Sequence, residues 1–144
     1  MSELLVLSGP NLDQLGIRSP EIYGTQTLGQ HIERASHVAA EFGLTIRHLQ
    51  SNDESVLIEA LHKARGSAAG IIFNAGALTH TSWALSDALA IFDGPSVEVH
   101  LSNPAAREPY RHVSTLASVV SGSIAGFGGL SYELAVRAVA ALLA

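Results

Sequence analysis

The chain has 144 residues, a formal charge of -5 and a pI of about 5.7. It has no cysteine, which excludes a disulfide framework, an iron–sulfur cluster and any thiolate metal site. Its basic residues are scattered rather than gathered in a stripe, which argues against a nucleic-acid binder, and no apolar run is long enough to span a bilayer.

"LLVLS" (4–8) is a short apolar, β-rich run and reads as a buried strand. A long polar loop follows, "PNLDQLGIRSPEIYG" (10–24), too long for a simple strand-to-helix turn. "TLGQHIERASHVAAEFG" (27–43) has apolar residues at helical spacing, with Thr27 as cap and Gly43 as terminator. "LTIRHLQ" (44–50) alternates as a strand, and "DESVLIEALHKARG" (53–66) reads as a helix from capping Asp53 to Gly66. "GIIFN" (70–74) is a strand ending at Asn74, and "THTSWALSDALAIF" (79–92) a helix capped by Thr79 or Thr81. "SVEVHLS" (96–102) is a strand, "LASVVSGSIAG" (116–126) contains a fifth, and "GLSYELAVRAVAALLA" (129–144) is a closing helix. The crossover 103–115 is the least defined stretch, with room for a short helix around "AAREPYRHVS".

This order predicts a single α/β domain over residues 1–144. The expected sheet is open, five-stranded and parallel, in the flavodoxin-like order 2-1-3-4-5, with helices on both faces. "MSELLVLSGP" lacks the basic start and apolar core of a signal peptide, so a cytoplasmic protein is expected. Charged residues make up only 15% of the chain, few for the surface of a small monomer, so subunit interfaces are expected too.

Ligands of such sheets bind beyond the carboxyl ends of the strands. The first strand leads into Asn11, Arg18 and Tyr23; the third ends at Asn74, before His80; the fourth ends at His100, Leu101 and Ser102, before Arg107 and Arg111. Each residue alone has a plain structural role open to it, such as capping for His80 or loop packing for Tyr23. Together they are the densest polar group in the chain. Glu98 and His100 lie two apart on a strand and share a face, an arrangement in which a carboxylate orients an imidazole for acid–base work. "SGPNLDQLG" is not a dinucleotide-binding GxGxxG. A phospho-receiver site is unsupported as well, because the third strand ends in Asn74 and no lysine follows the fifth.

"LVLSGPNLDQLGIRSPEIYG", "FNAGALTHTSWALSDAL" and "VEVHLSNPAAREPYRH" resemble the three signature segments of the type II 3-dehydroquinate dehydratases, small enzymes of the shikimate pathway. The resemblance runs nearly the whole chain in order. It implies a cofactor-free, metal-free lyase that removes water from 3-dehydroquinate by anti elimination through an enolate, giving 3-dehydroshikimate. On this likeness Tyr23 matches the base and Arg18 its activator. His100 matches the general acid, with Glu98 behind it, and Asn11 the residue that helps hold a water at the enolate. Asn74 and the backbone N–H groups of Leu101 and Ser102 match the grip on the substrate carboxylate. His80, Asp87 and Arg111 match residues around the substrate hydroxyls, with Asp87 reaching in from a neighbouring subunit of a homododecamer, a tetramer of trimers. Ser8, Asp13, Ala75, Leu78, Ser86, Ala105, Ala106 and Pro109 depart from the common pattern, and none of them replaces a catalytic side chain.

A tyrosine titrates at about 10, so action as a base near neutrality asks for a drop of about three units, roughly 4 kcal/mol. A nearby arginine is the natural source, with Arg18 in the same loop and Arg107 across the sheet as a second candidate. The loop 10–24 therefore reads as a lid carrying the base. The chain's one lysine, Lys63, lies mid-helix, which argues against an imine mechanism. The alternative from a different class is a non-catalytic binder of a small hydroxylated carboxylate.

Overall fold

The computed structural model describes residues 2–144. Five parallel strands form one sheet: β1 (Ser2–Ser8), β2 (Leu44–Gln50), β3 (Gly70–Asn74), β4 (Ser96–His100) and β5 (Gly122–Ala125). Their spatial order is β2-β1-β3-β4-β5, as the alternation of strands and helices predicts. The helices are α1 (Pro20–Tyr23, a single turn), α2 (Leu28–Glu41), α3 (Glu54–Ala64), α4 (Trp83–Ala90) and α5 (Leu130–Leu143). Among the described residues no helix is long and apolar enough to cross a membrane.

A parallel sheet covered on both faces needs strands that are apolar on both sides, and Leu4, Leu5, Val6 and Leu7 are all fully buried. Leu4, Val6, Ile72, Val97 and Val99 pack with α2 and α5, where Ala135, Val136 and Val139 recur at helical spacing. Leu5, Leu7, Ile71 and Phe73 pack with α3 and α4 on the other face. Residues Leu57, Leu61, Leu85 and Leu89 complete that second layer.

Local chemistry sets the helix ends. Thr27 accepts the Gln30 N–H while the Gln30 side chain accepts the Thr27 N–H, a closed capping box at the start of α2. Asp53 caps α3 through the Ser55 N–H. The cap expected at Thr79 or Thr81 is instead Ser82, whose hydroxyl accepts the Leu85 N–H. The reason lies just upstream: residues Gly76–His80 form a 3₁₀ turn entered through Gly76 at φ 61°, so the α-helix begins later than its apolar pattern suggests. The crossover also differs from the expected short helix. It forms two 3₁₀ turns, Pro104–Ala106 and Pro109–Arg111, each opened by a proline. Proline suits the first position of a turn but cannot continue one.

The register levels the carboxyl ends of three strands, with Ser8 of β1 opposite both Gln50 of β2 and Asn74 of β3. Beyond that line Gly9 donates its N–H to the Asn74 carbonyl at 2.8 Å. A Cβ on Gly9 would lie 2.4 Å from the Ala75 carbonyl oxygen, so only glycine allows the two strand ends to approach this closely. Gly9→Ala is expected to lower the unfolding free energy by about 1–3 kcal/mol, as overpacking against backbone does. Urea unfolding followed by circular dichroism measures it, and an unchanged midpoint would contradict the close approach.

Candidate active site

The cleft lies at the carboxyl ends of β1, β3 and β4, where the chain connections change direction across the sheet. Its wall includes Asn11, Arg18 and Tyr23 from the loop after β1, and Asn74 and His80 around the end of β3. His100, Leu101, Ser102, Arg107 and Arg111 complete it from the end of β4. Ten of the residues anticipated from sequence, counting Arg107, thus meet at one place. Glu98 stands behind His100 rather than on the wall, and Asp87, exposed on α4, does not line this chain's cleft.

The loop that carries Tyr23 is structured. It holds a 3₁₀ turn at Leu12–Gln14 and then the single helical turn α1, with Tyr23 as its last residue. Two non-glycine residues there have left-handed backbone, Asn11 at φ 69° and Ser19 at φ 38°. Such conformations cost energy and cluster at functional sites. Asn11 is steadied by its N–H, which donates to the Asn52 side chain at 2.9 Å.

Two arginines meet the Tyr23 ring. Arg107 donates from Nη1 to the phenolic oxygen at 2.7 Å and reaches Ser102 Oγ at 3.2 Å. The Arg18 guanidinium carbon lies 4.7 Å from the ring centroid, in cation–π contact. The resemblance singled out Arg18; the direct hydrogen bond comes from Arg107, with Arg18 over the ring. Arg107 Nε is buried without a partner.

On β4 the His100 ring nitrogen Nε2 meets Glu98 Oε2 at 2.6 Å, and Glu98 is only 2% exposed. Ser114 Oγ donates to both Glu98 oxygens at 2.8 Å, and Ser123, directly opposite Glu98 in the β4–β5 register, reaches Oε1 at 3.4 Å. Burial works against ionisation of this carboxyl, but the hydrogen bond and charge of His100 together with the two serine hydroxyls outweigh it and hold it below the usual carboxylate range. With Nε2 engaged by Glu98, Nδ1 is the His100 nitrogen left for a ligand. His80 is oriented in a similar way, since its Nδ1 donates to the Val113 carbonyl at 2.7 Å and leaves Nε2 free. Arg111 is held by Glu108 and donates from Nη2 to the Tyr110 hydroxyl at 3.0 Å.

Asn74 is buried, with Oδ1 accepting the Gly76 N–H at 3.1 Å and Nδ2 donating to the Tyr132 hydroxyl at 3.3 Å. Sequence reading passed over Ser114, Ser123 and Tyr132. Ser123 is predictable only from the β4–β5 register, and Tyr132 follows its partner by 58 residues.

Comparison with known proteins agrees with this geometry. The family profile described as "Dehydroquinase class II" matches residues 2–140. The chain belongs to the class II dehydroquinase family. It is 51% identical over 143 residues to a protein of Ruegeria pomeroyi named 3-dehydroquinate dehydratase, covering 99% of this chain and 96% of that one. A Cereibacter sphaeroides protein of the same name is 48% identical over 141 residues, covering 98% and 96% of the two chains. The crystal structure of type II dehydroquinase from Propionibacterium acnes superposes with a TM-score of 0.94 at 39% identity, covering 98% of this chain and 97% of that one. The family and enzyme class expected from the three signature segments are thereby met.

The Glu98 environment gives a stability prediction. A carboxyl whose folded pKa lies below its unfolded value of about 4.5 stabilises the fold above that pH. The contribution is lost as the pH falls through the folded value. Glu98→Gln removes it, so the stability difference between wild type and variant is expected to be largest near neutrality and to shrink below about pH 4.5. Urea unfolding at a series of pH values measures this, and a difference independent of pH would contradict an ionised, hydrogen-bonded Glu98.

Proposed function

We propose that the protein eliminates water from 3-dehydroquinate to give 3-dehydroshikimate, without a cofactor and through an enolate, with Tyr23 as base and His100 as general acid. The observation that carries this reading is the Tyr23 hydroxyl, held by Arg107 at 2.7 Å in the same cleft as a His100 ring backed by a buried carboxylate. A simple binding site needs neither arrangement.

The chemistry follows from the parts. The proton next to a ketone is weakly acidic, and its removal leaves charge on the ketone oxygen. Two guanidinium groups against the Tyr23 ring are the electrostatic partners that a phenolate base requires. Tyr23 takes the proton and the electron pair passes into the enolate, whose oxygen is met by a water that Asn11 helps to hold. The enolate then collapses and the carbon–oxygen bond breaks. His100 supplies the proton from Nδ1, so that hydroxide leaves as water. Glu98 on Nε2 stabilises the doubly protonated ring before that transfer. Proton return from Tyr23 and to His100 through solvent restores the starting state.

Substrate positioning is assigned to groups already oriented by the fold. Asn74 and the N–H groups of Leu101 and Ser102 receive the carboxylate, and His80 Nε2 and Arg111 receive hydroxyls. Asp87 is assigned to a neighbouring subunit's cleft in a homododecamer. Its exposed place on α4, outside its own cleft and beside exposed Trp83 and Ile91, supports that reading.

Incubation with 3-dehydroquinate, followed by the ultraviolet absorbance of the conjugated enone product, tests the activity directly. Tyr23→Phe is expected to lower kcat at least a hundredfold while substrate binding persists, since a positioned general base contributes about 10²–10⁴-fold. Retention of more than about a tenth of the wild-type kcat would remove Tyr23 from the role of base. Binding of 3-dehydroquinate by the wild type without any enone would favour the non-catalytic binder instead.

A further inference from the structure

Four consecutive residues of the crossover each hold a different part of the cleft. His112 Nε2 donates to the Arg107 carbonyl at 2.9 Å. The Val113 carbonyl accepts from His80 Nδ1 at 2.7 Å. Ser114 Oγ donates to both oxygens of Glu98 at 2.8 Å, behind His100. Thr115, 1% exposed, donates its N–H to the Thr79 carbonyl at 2.8 Å and its hydroxyl to the Ser82 carbonyl at 3.0 Å, where α4 begins. The last three residues are thus pinned to β4 and to the segment after β3. The His112 bond points the other way, back along the crossover to Arg107.

Arg107 stands just past the first 3₁₀ turn, Pro104–Ala106. The hydrogen bonds found in that turn run within it: Ala106 N–H to the Asn103 carbonyl at 3.0 Å, Arg107 N–H to the Pro104 carbonyl at 3.1 Å, and Ala105 N–H to the Asn103 side chain at 3.3 Å. The second turn is closed in the same local way, by Arg111 N–H to the Glu108 carbonyl at 2.8 Å and His112 N–H to the Pro109 carbonyl at 3.1 Å. Pro109, which opens the second turn, has no N–H with which to join the two. The His112 side chain spans the gap. A carbonyl only accepts, so Nε2 carries a proton, and both the neutral ring with its proton there and the imidazolium supply one. The bond therefore does not depend on the charge of His112.

We propose that His112 is a positioning residue: its bond to the Arg107 carbonyl ties the turn that carries Arg107 to the pinned stretch 113–115, and so sets where the Arg107 guanidinium meets Tyr23. Arg107 Nη1 bonds both the Tyr23 hydroxyl, at 2.7 Å, and Ser102 Oγ, at 3.2 Å, so a shift of its backbone is felt at the Tyr23 oxygen. His112 is exposed, and water can replace it on the carbonyl, so loss of the bond costs little stability. It costs position, and reaction rates respond steeply to small misplacements.

This inference rests on the proposed dehydratase reading, and the test separates the two. His112→Ala is expected to lower kcat for 3-dehydroquinate about fivefold, the scale of one lost hydrogen bond, with KM within about twofold of wild type. Its Tm should stay within about 2 °C of wild type. His112→Gln, whose amide N–H can stand where Nε2 stands, is expected to keep kcat within about twofold of wild type. In an Arg107→Ala background His112→Ala should lower kcat no further, because the group that it places is gone. A merely structural role for His112 would lower Tm in both backgrounds without this kcat pattern. Unchanged kcat in His112→Ala, an equal fall in His112→Gln, or the full fall persisting without the Arg107 guanidinium would each overturn the positioning role while leaving the dehydratase reading intact. A wild type that does not turn over 3-dehydroquinate would overturn both.

Discussion

The hydrogen bond from Arg107 to the Tyr23 hydroxyl joins the loop after β1 to the loop after β4 across the top of the sheet. Arg107 has few other ways to satisfy its charge. One nitrogen reaches Ser102, and Nε is buried without a partner. Buried donors are costly to leave unmade, and bonds from a charged donor are stronger than neutral ones. Tyr23 therefore completes the environment of Arg107 as much as Arg107 orients Tyr23. Arg18 comes from the Tyr23 side of this junction and adds a second cation over the ring.

The two loops meet because of the sheet beneath them. β1 and β3 are neighbours at its centre, and β4 lies beside β3, so connections leaving these three strands share one end of the molecule. The rigid component is β4. Glu98 is locked by Ser114 from the crossover and by Ser123 from β5, and it fixes the His100 ring in turn. His100 is thus held from below by a buried network, while Tyr23 is carried above it on a single helical turn bounded by left-handed Ser19 and by Gly24 at φ 82°. A firm floor with a loop over it suits the proposed chemistry, which must exclude water during proton removal.

Much of this architecture was legible in the sequence because it rests on local signals. Apolar runs marked the strands, capping residues such as Thr27 and Asp53 marked helix starts, and the strand-end rule gathered the polar residues into one cleft. Where reading failed, a longer-range effect had overridden a local one. The 3₁₀ turn after Gly76 moved the start of α4 to Ser82, past two threonines that were equally good caps on composition. Pro104 and Pro109 each opened a separate short turn where a single helix was expected. Arg107 was legible only as the second candidate partner of Tyr23, behind Arg18, because its contact spans 84 residues of sequence and no periodicity ranks such contacts. Ser123 needed the strand register, and Asp87 showed only that it is not part of its own chain's cleft.

The central claim is that base and acid act from different supports, the loop and the sheet, on opposite sides of the bond system that becomes the enone. The stereochemical course of the elimination tests this most directly. Two samples of 3-dehydroquinate can be prepared with deuterium at the reacting methylene, one trans and one cis to the departing hydroxyl, and the product's deuterium content read by mass spectrometry. The account predicts loss of the trans deuterium and retention of the cis one. Loss of the cis deuterium would place base and leaving group on one face and contradict it.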